Sequence, residues 1–256
     1  MQSFNTITKK INTAPDLSFG DIINDAIELF KKVWIKGFLT ILIIAVAAIA
    51  VSFIFQLIGL APDSLYFVDN GFNLETLVGF YSQNAIYSIP QTIMVSALTI
   101  ALMAAFYRIC KQVSLGQNVN DDYFYFFKKE YFTKALMLGM IYTAIATIAQ
   151  LLLLIPYIYA IVPLSYFSII FSNNPHLREI EIVKLSFAIG NKKWLISFGS
   201  LFVCSILGML GIIACGIGVL LTISIAYLPF FLIYKDVIGF DEQSEIDLIG
   251  EDNGFN

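Results

Sequence analysis

Six stretches of this chain contain no Asp, Glu, Lys, Arg or His, and they run 37–60, 86–107, 135–155, 157–172, 195–215 and 217–234. A bilayer core about 30 Å thick needs about 20 helical residues to cross it. Backbone in lipid must satisfy its own N–H and C=O groups, so such stretches fold as helices. The shortest, 157–172, holds Pro163 and is divided from the third by Pro156 and the aromatic Tyr157 and Tyr159. The fifth and sixth meet at Cys215-Gly216-Ile217-Gly218, a turn without charge. Only 13% of the 256 residues are charged, against about 25% in a soluble domain. That excludes a water-soluble single domain. The expected fold is an all-α polytopic integral membrane bundle of six transmembrane helices.

Basic residues set the threading. Residues 1–36 carry Lys9, Lys10, Lys31, Lys32 and Lys36; 108–134 carry Arg108, Lys111, Lys128, Lys129 and Lys134; 173–194 carry Arg178, Lys184, Lys192 and Lys193. Lys235 completes the fifteen, and the long connection 61–85 has none. By the positive-inside rule this places both termini in the cytoplasm and 61–85 outside, in a cell inner (plasma) membrane. The polar first 36 residues lack the apolar core and small-residue cleavage site of a signal peptide, so they stay in the mature protein. Three regions follow: a cytoplasmic segment 1–17, a membrane domain 18–234, and an acidic cytoplasmic tail 235–256.

The segment from Ser18 to Trp34 reads as an amphipathic helix. Ser18 and Asp21 fit a capped start, and Phe19, Ile22, Ile23, Ala26, Ile27, Phe30, Val33 and Trp34 share one face. Such a helix lies in the headgroup plane or packs against the ends of the spans. A lysine pair with an aromatic recurs at the entries to the first, third and fifth spans. These are Lys31, Lys32 and Trp34; Lys128, Lys129 and Tyr131; Lys192, Lys193 and Trp194. Lysines snorkel toward phosphates while rings anchor at the interface. The pattern suggests three copies of a short cytoplasmic amphipathic helix followed by a transmembrane hairpin; plain topological anchoring accounts for it too. A short interfacial helix is expected at 74–81.

The order Glu179-Ile180-Glu181-Ile182-Val183-Lys184-Leu185-Ser186, then Gly190-Asn191-Lys192-Lys193-Trp194, continues through Gly216-Ile217-Gly218 to Tyr227-Leu228-Pro229 and Tyr234. With Phe19-Gly20-Asp21-Ile22 and Glu28-Leu29-Phe30-Lys31-Lys32, it resembles a family of uncharacterised six-span bacterial membrane proteins. That family is related to the membrane domain of some glycerophosphodiester phosphodiesterases. The resemblance implies a membrane fold and no reaction, since catalysis in the fused relatives belongs to a separate soluble domain.

Candidate chemistry is sparse. One histidine, His176, and three cysteines (Cys110, Cys204, Cys215) make no multi-histidine metal centre, and an odd cysteine count argues against a disulfide framework. No catalytic residue, metal or cofactor is expected, and no basic excess is present to hold nucleic acid. Charge-free spans argue against an ion-coupled transporter. Gln56, Gln91 and Gln150 read as interhelical hydrogen-bonding groups before substrate-path residues. Ser200, Cys204, Gly208, Gly211 and Cys215 form a small-residue stripe for close helix packing, within the chain or against a second copy. Pro90, Pro163 and Pro229 are expected to kink their helices. His176 reads as a loop residue capping a helix, and the acidic tail 236–252 as a solvated end. Partners are expected to be membrane lipids, with other membrane proteins or self-association open. The leading expectation is a non-enzymatic scaffold or lipid-binding protein of the envelope. The alternative is a transporter or exporter of an apolar or amphipathic small molecule.

Overall fold

A computed structural model describes residues 2–60, 66–117, 121–152, 155–213 and 218–240, with backbone alone for 81–87 and 213. The described residues form helices and no strand. In chain order they are α1 (Phe4–Asn12), α2 (Phe19–Leu57), α3 (Tyr66–Asn70), α4 (Leu74–Ser114), α5 (Lys129–Leu151), α6 (Ile155–Asn173), α7 (Glu179–Lys192), α8 (Trp194–Met209), α9 (Gly218–Thr222) and α10 (Leu228–Val237). Six helical segments are long and apolar enough to cross a membrane. The protein is a multi-pass, all-α membrane bundle.

The expected surface helix and first span are one 39-residue helix, α2. Ser18 Oγ accepts from the Asp21 N–H as predicted, but no proline or polar break follows Trp34, so the i→i−4 ladder runs on through Gly37. Gly37 is buried against Ser224, where a Cβ would collide with the serine side chain. The helix expected at 74–81 is likewise the first two turns of α4, capped by Asn73 Oδ1 accepting from the Thr76 N–H at 2.8 Å. The middle surface helix shrinks to a single 3-10 turn, Tyr125–Phe127. Its aromatic side chains find partners at once, with Phe126 buried against Phe171 at 4.9 Å.

Only the third surface helix, α7, stands as a separate element, and it lies antiparallel along α6. Gly190 packs on Pro163, where a Cβ would stand 2.8 Å from its Cα. Asn191 accepts from the Tyr159 hydroxyl. Tertiary cover of this kind explains why α6 is apolar all round: Leu164, Phe167 and Ile170 are all buried. A helix without a polar face belongs to a protein interior or a membrane. The buried centre comprises α6, α10 and the stretch 100–107 of α4, every residue of which is buried.

The amino-terminal segment holds α1, which was not expected. Ser3 Oγ accepts from the Thr6 N–H; Ile7 and Ile11, one helical turn apart, are fully buried. The element packs along α7. Lys10 Nζ ties it to the far end of the chain by donating to the Ile238 carbonyl.

Pro90 and Pro163 lie inside uninterrupted helices, and Pro229 occupies the first turn of α10, where a missing N–H leaves no gap. The break in the last span falls earlier, at a 3-10 stretch Ile223–Tyr227 between α9 and α10. The turn 214–217, with Cys215, and the tail from 241 lie outside the described residues.

Candidate binding cleft and basic rim

A cleft of about 300 Å³ opens between α4, α5, α6 and the 3-10 stretch of the last span. Positions 96, 99, 103 and 107 recur at helical spacing along α4, so Ser96, Thr99, Met103 and Tyr107 share its wall. Ser165 and Ser168, one turn apart on α6, face them with Tyr142 of α5 and Tyr227. Val95, Ile100 and Leu164 complete the lining, which contains no charged side chain.

Three of the seven hydroxyls are engaged by protein. Tyr107 donates to the Tyr227 carbonyl at 3.2 Å, Ser165 to the Ile161 carbonyl at 2.7 Å, and Ser96 shares a 3.3 Å bond with Thr143. Thr99, Tyr142, Ser168 and Tyr227 have no hydrogen-bonded protein partner for their hydroxyls among the described residues. A hydroxyl donates and accepts without carrying charge. An aromatic, hydroxyl-bearing wall therefore suits a ligand with neutral oxygens on an apolar body.

The expected basic and aromatic rim divides into two kinds of residue. Lys31, Lys32, Trp34, Lys128, Lys129 and Lys192 are exposed, and Tyr131 is half-buried. Lys193 points inward: it is 6% exposed, donates to the Pro15 carbonyl and stands 3.9 Å from Asp16. A buried ammonium tied to backbone does not snorkel to headgroups, so Lys193 is a tether for the segment before α2. Trp194 also serves the bundle, stacking on Phe198 at 4.8 Å and donating from Nε1 to the Tyr159 carbonyl at 3.1 Å. Lys134 grips the start of α7 through the Pro175 and Leu177 carbonyls.

Ser200, Cys204, Gly208 and Gly211 are all buried. Their partner is the chain's own last span: a Cβ on Gly208 would stand 3.1 Å from Ile223 Cα, and Thr222 Oγ1 donates to the Gly208 carbonyl. Gln91 Nε2 donates to Ser52 Oγ at 2.8 Å and joins α4 to α2. Gln56 is exposed, and neither Gln91 nor Gln150 lines the cleft. His176 Nε2 shares a 3.0 Å bond with the Gln2 carbonyl, joining α1 to the start of α7.

Outside the spans, ionisation is shifted at Tyr123 and within the Arg178–Glu181 pair. Burial pushes the Tyr123 phenol up to about 12, with Asp121 adding to the shift. Glu181 accepts from the Arg178 guanidinium and backbone N–H, which holds its carboxyl below the usual range.

The cleft residues come from four separated segments and are ordinary Ser, Thr and Tyr, so no local motif announces them. The one available signal was the hydroxyl spacing along α4. Comparison with family models, curated proteins and solved structures gives no match for this chain.

Proposed function

We propose that this membrane protein binds a neutral amphiphile, a lipid or lipid-like molecule, without acting as an enzyme on it. The cleft carries this reading: four hydroxyls with no hydrogen-bonded partner among the described residues face a charge-free, partly aromatic space large enough for part of a lipid. A bacterial inner membrane with both termini in the cytoplasm belongs to the same proposal, supported by the sequence order of the fifteen basic residues, which fall in 1–36, 108–134, 173–194 and at 235, with none in 61–85.

Native mass spectrometry of protein taken from its own membranes with minimal delipidation tests the binding. The wild type is expected to carry a neutral amphiphile that the double variant Thr99→Val, Ser168→Ala loses while remaining folded. A bare wild-type chain, or equal occupancy in the variant, would sink the reading. Accessibility of single cysteines placed in 61–85 and near the amino terminus tests the orientation.

The 3-10 stretch favours transport as a second reading. Broken spans often border substrate sites, and Tyr227 lies both in the break and in the cleft wall. Tyr107→Phe, which frees the Tyr227 carbonyl, is then expected to change flux of an amphiphile in proteoliposomes. Unchanged flux in the folded variant counts against it.

A further inference from the structure

The end of α4 carries a second recognition site of different chemistry. Arg108 directly follows the charge-free stretch 86–107 and lies in the last two turns of α4. Its guanidinium lies over the Tyr125 ring, with Cζ 4.1 Å from the centroid, and its Nη1 is buried without a hydrogen-bond partner. Lys128 Nζ covers the same ring at 4.5 Å. The two cationic centres are therefore no more than about 9 Å apart across one ring. Neither makes an ion pair among the described residues. Tyr123, two residues before that ring, also holds a buried hydroxyl with no partner. The carboxylate that acts on Tyr123, Asp121, is already paired with Lys36.

A guanidinium fork with free donors, a second cation and an unengaged phenol are the groups that hold a phosphate: the fork offers parallel N–H bonds, the ammonium a point charge, the hydroxyl a further donor. A buried guanidinium nitrogen without an acceptor is costly, and an anion that reaches it removes the cost. We propose that Arg108 and Lys128, gathered around Tyr125, with Tyr123 two residues before that ring in the chain, bind a phosphate group, as borne by an anionic lipid or by a soluble phosphate compound. The site is separate from the charge-free cleft and does not depend on what that cleft holds.

The test uses delipidated full-length protein in a neutral detergent. It is titrated with phosphatidylglycerol, with diacylglycerol of the same acyl chains, or with inorganic phosphate, and read by native mass spectrometry and thermal unfolding. Phosphatidylglycerol is expected to bind and stabilise, diacylglycerol to do neither at this site. The apparent affinity is expected to fall about tenfold in Arg108→Gln and in Lys128→Gln, the scale of one charge-assisted contact. Lys9→Gln, an exposed lysine on α1, is expected to match wild type. If Arg108→Gln fails to fold, Lys128→Gln, whose side chain is exposed, carries the test alone. Stabilisation by inorganic phosphate that both variants lose would support the site and assign it to a soluble phosphate. An affinity for phosphatidylglycerol unchanged by the variants that fold, or a loss of diacylglycerol binding in them as large as that of phosphatidylglycerol, would overturn the proposal.

Discussion

Gly139→Ala is the sharpest probe of how closely α4 and α5 approach. A Cβ at Gly139 would stand 2.8 Å from Ala97 N and 2.9 Å from its Cα and Cβ. Two of those three atoms are backbone, so no rotamer change relieves them. Carbon contacts settle at about 3.5–4.0 Å, so the helices must part by roughly 1 Å. Overpacking of this kind costs about 1–3 kcal/mol, and rigid backbone neighbours place it at the upper end. Alanine returns about 1 kcal/mol through helix propensity, leaving a net loss of about 2 kcal/mol. At about 2–4 °C per kcal/mol for a chain of this size, the melting temperature falls by about 4–8 °C. Ala97→Gly in the same molecule removes one of the three clashing atoms, so it rescues only part of the loss. Gly20→Ala is the control, because a Cβ there meets nothing within 4 Å. Thermal unfolding of the four proteins in one detergent reads the result. A Gly139→Ala protein that melts at or above wild type would refute the close approach, and with it the wall of the cleft that α4 and α5 share.

Lys193→Met keeps the apolar stem but removes the bond to the Pro15 carbonyl. Trypsin is expected to cut after Lys9 and Lys10 about tenfold faster, since a hydrogen bond to a charged group contributes roughly 1.5–3 kcal/mol; an unchanged cleavage rate would remove the tether. The start of α7 is pH-sensitive through Glu181. Its carboxyl is held below the usual range in the folded chain, so its contribution is complete above that range and is lost as pH falls through the folded value. Amide exchange at 179–182 is therefore expected to rise, beyond the intrinsic trend, on acidification. Glu181→Gln is expected to remove that rise and show faster exchange near neutrality.

The spans were legible because a stretch without charge has few other fates, and the packing stripe of α8 because small residues at helical spacing have one obvious use. Continuity between neighbouring elements was not. The lysines and Trp34 mark an interface but do not break a helix, so a boundary drawn at a change of polarity cut α2 in two. The helix α1 carries a visible Phe4, Ile7, Ile11 face, yet nine residues are too few to form a stable helix alone, and its partner α7 lies far along the chain. Lys193 shows the same limit from the other side. Its position beside Lys192 and Trp194 is that of a headgroup anchor, and only the proximity of Pro15 turns it inward. For the cleft, attention went to glutamines because amides are the strongest polar groups in the spans. The hydroxyls that line it are individually too common to stand out.

The bond from Lys10 to the Ile238 carbonyl joins residues 228 positions apart, and it imposes a schedule on synthesis. The face of α1 formed by Ile7 and Ile11 emerges before its partners: α7 and residue 238 follow only after about 170 to 230 more residues, which takes roughly 10–45 s at a ribosome speed of about 5–20 residues per second. Until α7 is made, the apolar face of α1 has no partner, and the bond from Lys10 to Ile238 waits longer still. That bond closes only around a chain that has been translated through its final span.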